Sequence, residues 1–443
     1  MGLRVGVVGA GVAGLTAAAE LRRAGHEVTV LEAGSHVGGH TDTHRVEADG
    51  RVHAIDTGFI VMNDRNYPNF TRLLSELGVE TQATDMSFGV ADDSGEFEWS
   101  TRGLRGVFAQ RSHLTDRRFL RMLADILRFN RKARPLVGTR GGGPSLREFL
   151  QNERFSEFFV DRLLVPQAAS VWSADPAQMW SFPAAFLAEF FHNHGTLQIR
   201  NRPRWRTVVG GSATYVRALT EGFSDRVLAG TPVHSIERGP ERVTVRYRGG
   251  ESEFDEVVIA AHSDQALAML DAPTPAEREI LGAIPYQRNE TVLHTDTSLM
   301  PRRRAAWASW NFHLSDAADG RTTLTYDMNR LQRLDSATQF LVTLNRADEI
   351  DPARIIATRD YAHPVFTEEG MRAQERWPEI SGADRIHYCG AYWRWGFHED
   401  GCWSGLRVAQ ALGGRGPGLG GAVPPSIGNS PAEAPAPAAG ALR

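Results

Sequence analysis

An α/β fold follows from three observations in this 443-residue chain. A strand, a glycine-rich turn, a helix and a second strand occupy its first 32 residues. Two further short apolar strands, Val257–Ala261 and Arg385–Ala391, have the composition of buried parallel strands. Between these pieces lie amphipathic helices and alternating strands, which suit a second layer inserted into the first unit.

The opening element is Leu3 to Val8 (LRVGVV), followed by Gly9-Ala-Gly11-Val12-Ala13-Gly14, a helix over Leu15 to Ala24, and the strand Glu27 to Leu31 ending at Glu32. Gly9 permits the tight turn, Gly11 lets a pyrophosphate approach the backbone, and Gly14 lets the helix pack close to the strand. Phosphates then sit on unpaired N–H groups at the positive end of the helix, contacted by Val12 and Ala13. Glu32 stands 18 residues after Gly14, placed to accept hydrogen bonds from a ribose diol. Strand, glycines, helix, strand and acid in register identify a Rossmann-like dinucleotide-binding unit.

The next residues, Ala33-Gly-Ser-His-Val and Gly38-Gly39-His40-Thr41, resemble the extension found in FAD proteins of the glutathione-reductase-like class. There an acid is followed by a Gly-Gly pair that lets the chain pass close to the flavin side of the pyrophosphate. His40 stands where arginine is usual. The resemblance implies FAD rather than NAD.

Composition bounds the rest. The chain is 42% apolar and 23% charged, long enough for two domains around sizeable cores. A net charge of −4 gives no support for nucleic-acid binding. Two cysteines, Cys389 and Cys402, offer neither metal-ligand spacing nor a disulfide framework, which suits a reducing cytosol. No signal peptide precedes the first strand, and no apolar run approaches the roughly 18 residues that span a bilayer. A cytoplasmic protein is expected, with peripheral association with the inner membrane face left open. Lys132 is the single lysine among 49 basic residues.

Downstream, Val52 to Ile60 reads as a strand carrying Asp56-Thr-Gly58, and Asn69 to Leu77 as a short helix. Segments around Met86 to Trp99 read as strands of the second domain. Thr115 to Leu136 is a basic amphipathic helix capped by Thr115 or Asp116, with Arg117, Arg118, Arg121, Arg128, Arg131, Lys132 and Arg134 against two acids. Such a helix packs on its own domain or lies on an anionic membrane surface. Ser156–Val165 and Ala177–His194 are further helices, the second rich in Phe and Ala and able to line an apolar channel. His192 and His194, two apart on a helix, face different ways, so no metal site is expected. Gly210-Gly211 precedes a helix over Thr214–Glu221, and the strands Val227–Ile236, Val243–Tyr247 and Asp255–Ala261 follow. Arg321–Leu334 and Gln339–Leu344 read as strands, and Ser404–Leu412 as a last helix. The expected division is a discontinuous FAD-binding domain over 1–60, 205–263 and 380–413. An inserted α+β substrate domain on a mixed sheet covers 61–204 and 264–379, and a disordered Gly/Pro/Ala-rich tail covers 414–443.

Cys389-Gly390-Ala391 and then Gly396-Phe-His-Glu399-Asp-Gly401-Cys402-Trp-Ser404-Gly405 resemble the closing flavin motif of the amine-oxidase, phytoene-desaturase and protoporphyrinogen-oxidase superfamily. The resemblance spans nearly the whole folded chain. It implies that Gly401 and Cys402 deliver N–H groups to the flavin pyrimidine, that Gly390 and Ala391 run along the pyrophosphate and ribityl chain, and that Val233 contacts adenine. It also places Gly58 near the cofactor. Pro301–Asn311, Asp360–Pro364 and Cys389–Trp393 are similar to a bacterial amine-oxidase-like subgroup encoded near fatty-acid methyltransferases. Some members are linked to desaturation of methylated fatty acyl chains toward furan fatty acids.

The resemblance implies an FAD-dependent oxidase or desaturase that takes a hydride from an apolar, lipid-like substrate. Phe397 aligns with one wall of the amine oxidases' aromatic cage, and Tyr392, Trp393 and Trp395 are expected in the same cavity. His363, His398 and Glu399 are the titratable candidates for a base. Two alternatives stand beside this reading. An amine oxidase proper often keeps a lysine that holds water against the flavin, but Lys132 lies outside every flavin motif. A non-catalytic flavin-binding partner of a lipid-modifying enzyme fits the lack of an obvious acid–base dyad.

Overall fold

The computed structural model describes residues 2–139, 143–172, 180, 183–198, 202–314 and 322–418. Its first unit is a five-stranded sheet in the order Val227–Leu228, Glu27–Leu31, Arg4–Val8, Glu256–Ile259, Ile386–Tyr388. Every pairing in it is parallel. Val5, Val7, Val28, Val30, Val257 and Val258 are wholly buried, as strands covered on both faces require. A three-stranded antiparallel sheet, Val233–Arg238, Val243–Tyr247 and Gly250–Phe254, is inserted before Glu256–Ile259.

The second unit is a seven-stranded mixed sheet. It runs Ile355–Pro364, Tyr286–His294, Leu341–Leu344, Leu324–Asp327, Trp310–Leu314, Phe88–Asp92, Glu98–Ser100, antiparallel throughout except where Trp310–Leu314 pairs parallel with Phe88–Asp92. Helices Arg117–Ala133, Leu146–Asn152, Val165–Trp172 and Ala184–Asn193 accompany it, with a π-helical turn at Val160–Leu164. Phe119, Phe129, Phe159, Phe186 and Phe191 belong to the core there. The parallel sheet has its own core, and Phe397 packs against both.

Several elements differ from the sequence reading. The expected strand Val52–Ile60 stops at Asp56, where it pairs with Thr43–Ala48 as a hairpin. Arg321–Leu334 divides into the strand Leu324–Asp327 and the helix Met328–Leu331, because the Asp327 carboxylate caps the latter. Arg321, like residues 177–179, lies outside the described residues. The last helix spans His398–Ala411, six residues earlier than Ser404, since the Phe397 N–H is capped by the Asp400 carboxylate at 2.9 Å. The start of the tail is held in place: Arg415 pairs with Glu20 and Glu76, and the Gly418 N–H donates to Asn69. Residues 419–443 lie outside the described residues.

Candidate active site

A cavity of about 1210 Å³ joins the two units. Residues at or just beyond the carboxyl ends of four parallel strands line it: Val8 and Gly9, Leu31 and Glu32, Ala260 and Ala261, Gly390 and Ala391. Open α/β sheets bind ligands at those ends. The volume exceeds the roughly 300–1,000 Å³ of a single-ligand pocket and leaves room for a dinucleotide and a second molecule.

At the dinucleotide end, Gly11 caps the helix Val12–Arg23 without any side-chain bond to the first-turn N–H groups. Those donors stay open to an anion. A Cβ added at Gly11 would meet no atom within 4 Å, so its face is open. Gly9 holds φ +106°, a conformation glycine adopts without strain. Glu32 accepts from the Ala10 N–H at 2.7 Å and the Gly34 N–H at 2.8 Å, one on each oxygen. Both oxygens are thereby oriented, each with a lone pair left for a diol. Gly39 runs so close that its Cβ would lie 3.1 Å from the Gly11 Cα, and a Cβ at Gly58 would lie 2.1 Å from the His40 carbonyl oxygen.

The middle of the cavity gathers histidines. His40 stacks on Tyr361 at 5.0 Å and lies 5.3 Å from His363, with His262 at 6.2 Å. The Nε2 of His40 is buried without a partner. Burial, then the neighbouring histidines, hold His40 well below its ordinary range, so it is neutral. His363 accepts at Nδ1 from Asn289 Nδ2 (3.0 Å), and Asn345 Nδ2 donates to Asn289 Oδ1 (2.8 Å). That chain fixes the amide and leaves the proton of neutral His363 on Nε2, as a donor. Burial pushes His363 down to about 4. His398 stacks on Phe59 at 3.7 Å, and its Nε2 meets Thr41 Oγ1 at 2.9 Å and Tyr215 Oη at 3.1 Å. Burial lowers it to about 3.

Beyond the histidines the wall is apolar and aromatic: Leu123, Ile126, Phe129, Leu163, Phe190 and Phe191, with Phe397 and Tyr392 at the junction. Glu32 is the sole carboxylate among the described lining residues, and Arg202 the sole cation.

Comparison with known proteins decides the family. A family model described as flavin containing amine oxidoreductase matches residues 12–303. The chain belongs to that family. A Mycobacterium tuberculosis protein bearing the name flavin-containing monoamine oxidase AofH is 30% identical over 62% of this chain. The L-amino-acid oxidase of Mus musculus is 27% identical over 64%. The chain spans 60% and 44% of the lengths of these two relatives. Among solved structures, putrescine oxidase bound to putrescine superposes with a TM-score of 0.65 at 16% identity, covering 93% of this chain and 99% of that one. A CLA-producing fatty acid isomerase from P. acnes gives 0.65 at 17%, covering 93% and 98%. At these identities the superpositions show a shared fold.

Flavin containing amine oxidoreductases carry FAD, and the residues present fit it. The open Gly11 face and the uncapped helix end, with Val12 and Ala13, would hold the pyrophosphate, and Glu32 with Ala33 the ribose. Gly38, Gly39, Gly58, Val233, Gly390 and Ala391 also line the cavity. The orphaned Nε2 of His40 is a buried polar atom without a partner, which a hydroxyl of this coenzyme can satisfy whether it donates or accepts.

Seven expected site residues lie off the cavity wall. Gly14 acts only in packing: a Cβ there would stand 2.1 Å from the Gly9 carbonyl oxygen. Thr41 is buried and holds Tyr215 and His398. Gly401 faces the first helix, its Cβ position 2.6 Å from Val12 Cγ1, and its N–H is spent on the Phe397 carbonyl. Cys402 is fully buried behind it. By helix geometry the unpaired N–H groups belong to the first turn, at His398 and Glu399, because the helix starts earlier than expected. Trp395 packs behind the wall on Phe186 and Phe190 at 4.6 and 5.8 Å. The Glu399 carboxylate accepts the Asn69 N–H, Asn69 Nδ2 and the Phe70 N–H, which occupies it with capping a neighbouring helix. Trp393, also expected there, stacks on Trp377.

His262, Tyr286 and Tyr361 escaped the sequence reading. His262 lies three residues past the end of the parallel strand Glu256–Ile259, where ligand contacts concentrate. Tyr361 is two residues from His363 on one strand and therefore shares its face.

Proposed function

We propose that the protein is an FAD-dependent oxidase or desaturase that removes a hydride from an apolar acyl chain, methylated chains included. The observation that carries this reading is the chamber beyond the histidines: large, apolar, and without a carboxylate among its described lining residues. An ammonium substrate would enter it with no anion to pair against, whereas an alkyl chain gains roughly 25 cal/mol for each Å² it buries. FAD, when bound, would supply the oxidising power for that hydride removal.

The chain's own residues do the rest. Phe190, Phe191, Phe397 and Tyr392 exclude water and orient the alkyl group. His363 presents an Nε2–H donor in a fixed tautomer, and burial keeps it uncharged. Arg202, exposed at the cavity wall, matches a carboxylate at the chain's end. Lys132 is bound to Glu153 at 3.0 Å and takes no part in the wall.

The names of the monoamine and putrescine oxidases favour a second reading, oxidation of amines, which aromatic walls can hold by cation–π contact. Anaerobic titration of the flavin spectrum separates the two. Bleaching by free or methylated fatty acids, and not by putrescine or benzylamine, is the expected result. Bleaching by the amines alone would overturn the proposal. No bleaching by either class would favour a flavin-binding partner without turnover.

A further inference from the structure

Among the described residues, four of the eight large hydrophobic side chains that stand exposed lie in one short stretch: Leu104, Leu114, Leu120 and Leu127. Leu104 is 78% exposed, Leu127 57% and Leu114 56%. Leu120 and Leu127 are seven residues apart on the helix Arg117–Ala133 and so share one side of it. Leu123, Ile126 and Asn130 on the same helix line the cavity. At about 100° per residue, these inner side chains lie next to the outer pair around the helix. The pattern repeats on the short helix Gly103–Val107, where Leu104 points out and Val107, one turn on, lines the cavity. Here the wall between cavity and solvent is a single helix thick.

Some of the charges around these leucines are paired, Arg118 with Asp116 and Arg121 and Arg128 with Asp125, but four arginines are not. Arg105, Arg111, Arg117 and Arg131 are exposed and form no ion pair with any described residue. Arg117 lies one turn before Leu120, and Arg131 one turn after Leu127. Leucines set singly among unpaired arginines make no continuous apolar face for a folded protein partner. They match a fluid interface in which acyl chains receive the leucines and phosphates the guanidiniums.

We propose that the face built from Leu104, Leu114, Leu120 and Leu127 with these arginines docks on a bilayer surface rich in anionic lipid. Docked this way, the helix Arg117–Ala133 has lipid on one side and the substrate chamber on the other, so an acyl chain reaches the chamber without crossing water. What travels rests on the proposed function; the docking does not.

The test uses the full-length FAD-loaded protein and sedimentation with vesicles of phosphatidylcholine, with and without phosphatidylglycerol, with no substrate present. Sedimentation is expected only with phosphatidylglycerol, falling as salt rises. The double variant Arg117→Gln/Arg131→Gln is expected to partition roughly 25-fold more weakly, about fivefold for each arginine. Leu120→Gln/Leu127→Gln is expected to weaken partitioning as well. Flavin absorbance checks that each variant is folded. Failure of the parent to sediment with phosphatidylglycerol at low salt, or sedimentation that neither variant alters, would overturn the proposal. Both readouts are independent of turnover, so a wrong substrate assignment cannot imitate either.

Discussion

Two glycines three residues apart do different work, and substitution separates them. A methyl at Gly11 meets no atom within 4 Å, and its φ of −76° suits any residue. Gly11→Ala is therefore expected to keep the apoprotein's melting temperature while losing FAD affinity at least tenfold, read by flavin fluorescence. At Gly14 the methyl would stand 2.1 Å from a backbone oxygen. Gly14→Ala is expected to destabilise the fold by about 1–3 kcal/mol, as overpacking does. If Gly11→Ala lowered the apoprotein's stability as much, the open cradle would be misplaced. Arg202 gives a third residue-scale expectation. Arg202→Gln should raise KM for a free fatty acid roughly tenfold, the scale of a lost charge-assisted hydrogen bond. KM for the methyl ester should stay unchanged, and an equal rise for both would exclude the carboxylate role.

The last helix shows how one element supports another. Its residues Gly401 and Gly405 lie against Val12 and Ala13, so the first and last helices pack nearly backbone to backbone. Its first turn sends Glu399 to the opening N–H groups of the helix Pro68–Glu76. Burial pushes Glu399 up to about 7, against three N–H donors that favour its charged form. Glu399→Gln sets an amide N–H against those donors and is expected to cost about 1–3 kcal/mol in chemical denaturation. Flavin reduction per folded molecule should stay within twofold of the parent. A large loss of reduction rate at unchanged stability would restore Glu399 as a base.

Across the molecule, buried titratable groups oppose one another. Burial pushes His294 down to about 4, and His313 and His398 to about 3. Unfolded histidines take up protons near 6.5, so this contribution to stability is full above about 6.5 and falls as pH drops toward 3. Asp56, Glu399 and Asp400 are pushed up by burial, to about 6, 7 and 8. Their unfolded counterparts ionise near 4, so that contribution is full below about 4 and is lost as pH rises through 6 to 8. His194 and His363, which burial also holds near 4, add to the histidine side, so five histidines outweigh three acids between about 4.5 and 6 and stability rises with pH there. Melting temperature against pH should peak near 6.5 and decline on both sides. A melting temperature that climbs steadily from about pH 6 to 9 would refute the assignment of the buried acids.

The sequence by itself determined the parallel sheet, the turn at Gly9–Gly14, the acid at Glu32, the mixed second sheet and the flavin family. These rest on local chemistry: glycine's freedom, β-branched runs and the reach of a carboxylate two residues from a backbone N–H. Only the tertiary structure decided which residues face the cavity. His40, His262 and His363 are 101 or more positions apart in sequence, and no spacing rule brings them into one cluster. Glu399 and Thr41 read as site residues because each is flanked by motif residues. Distant segments claim both: the helix beginning at Pro68 takes Glu399, and Tyr215 with His398 takes Thr41. Burial and hydrogen-bond satisfaction are properties of the assembled chain, and they settle whether a polar side chain serves the ligand or the fold.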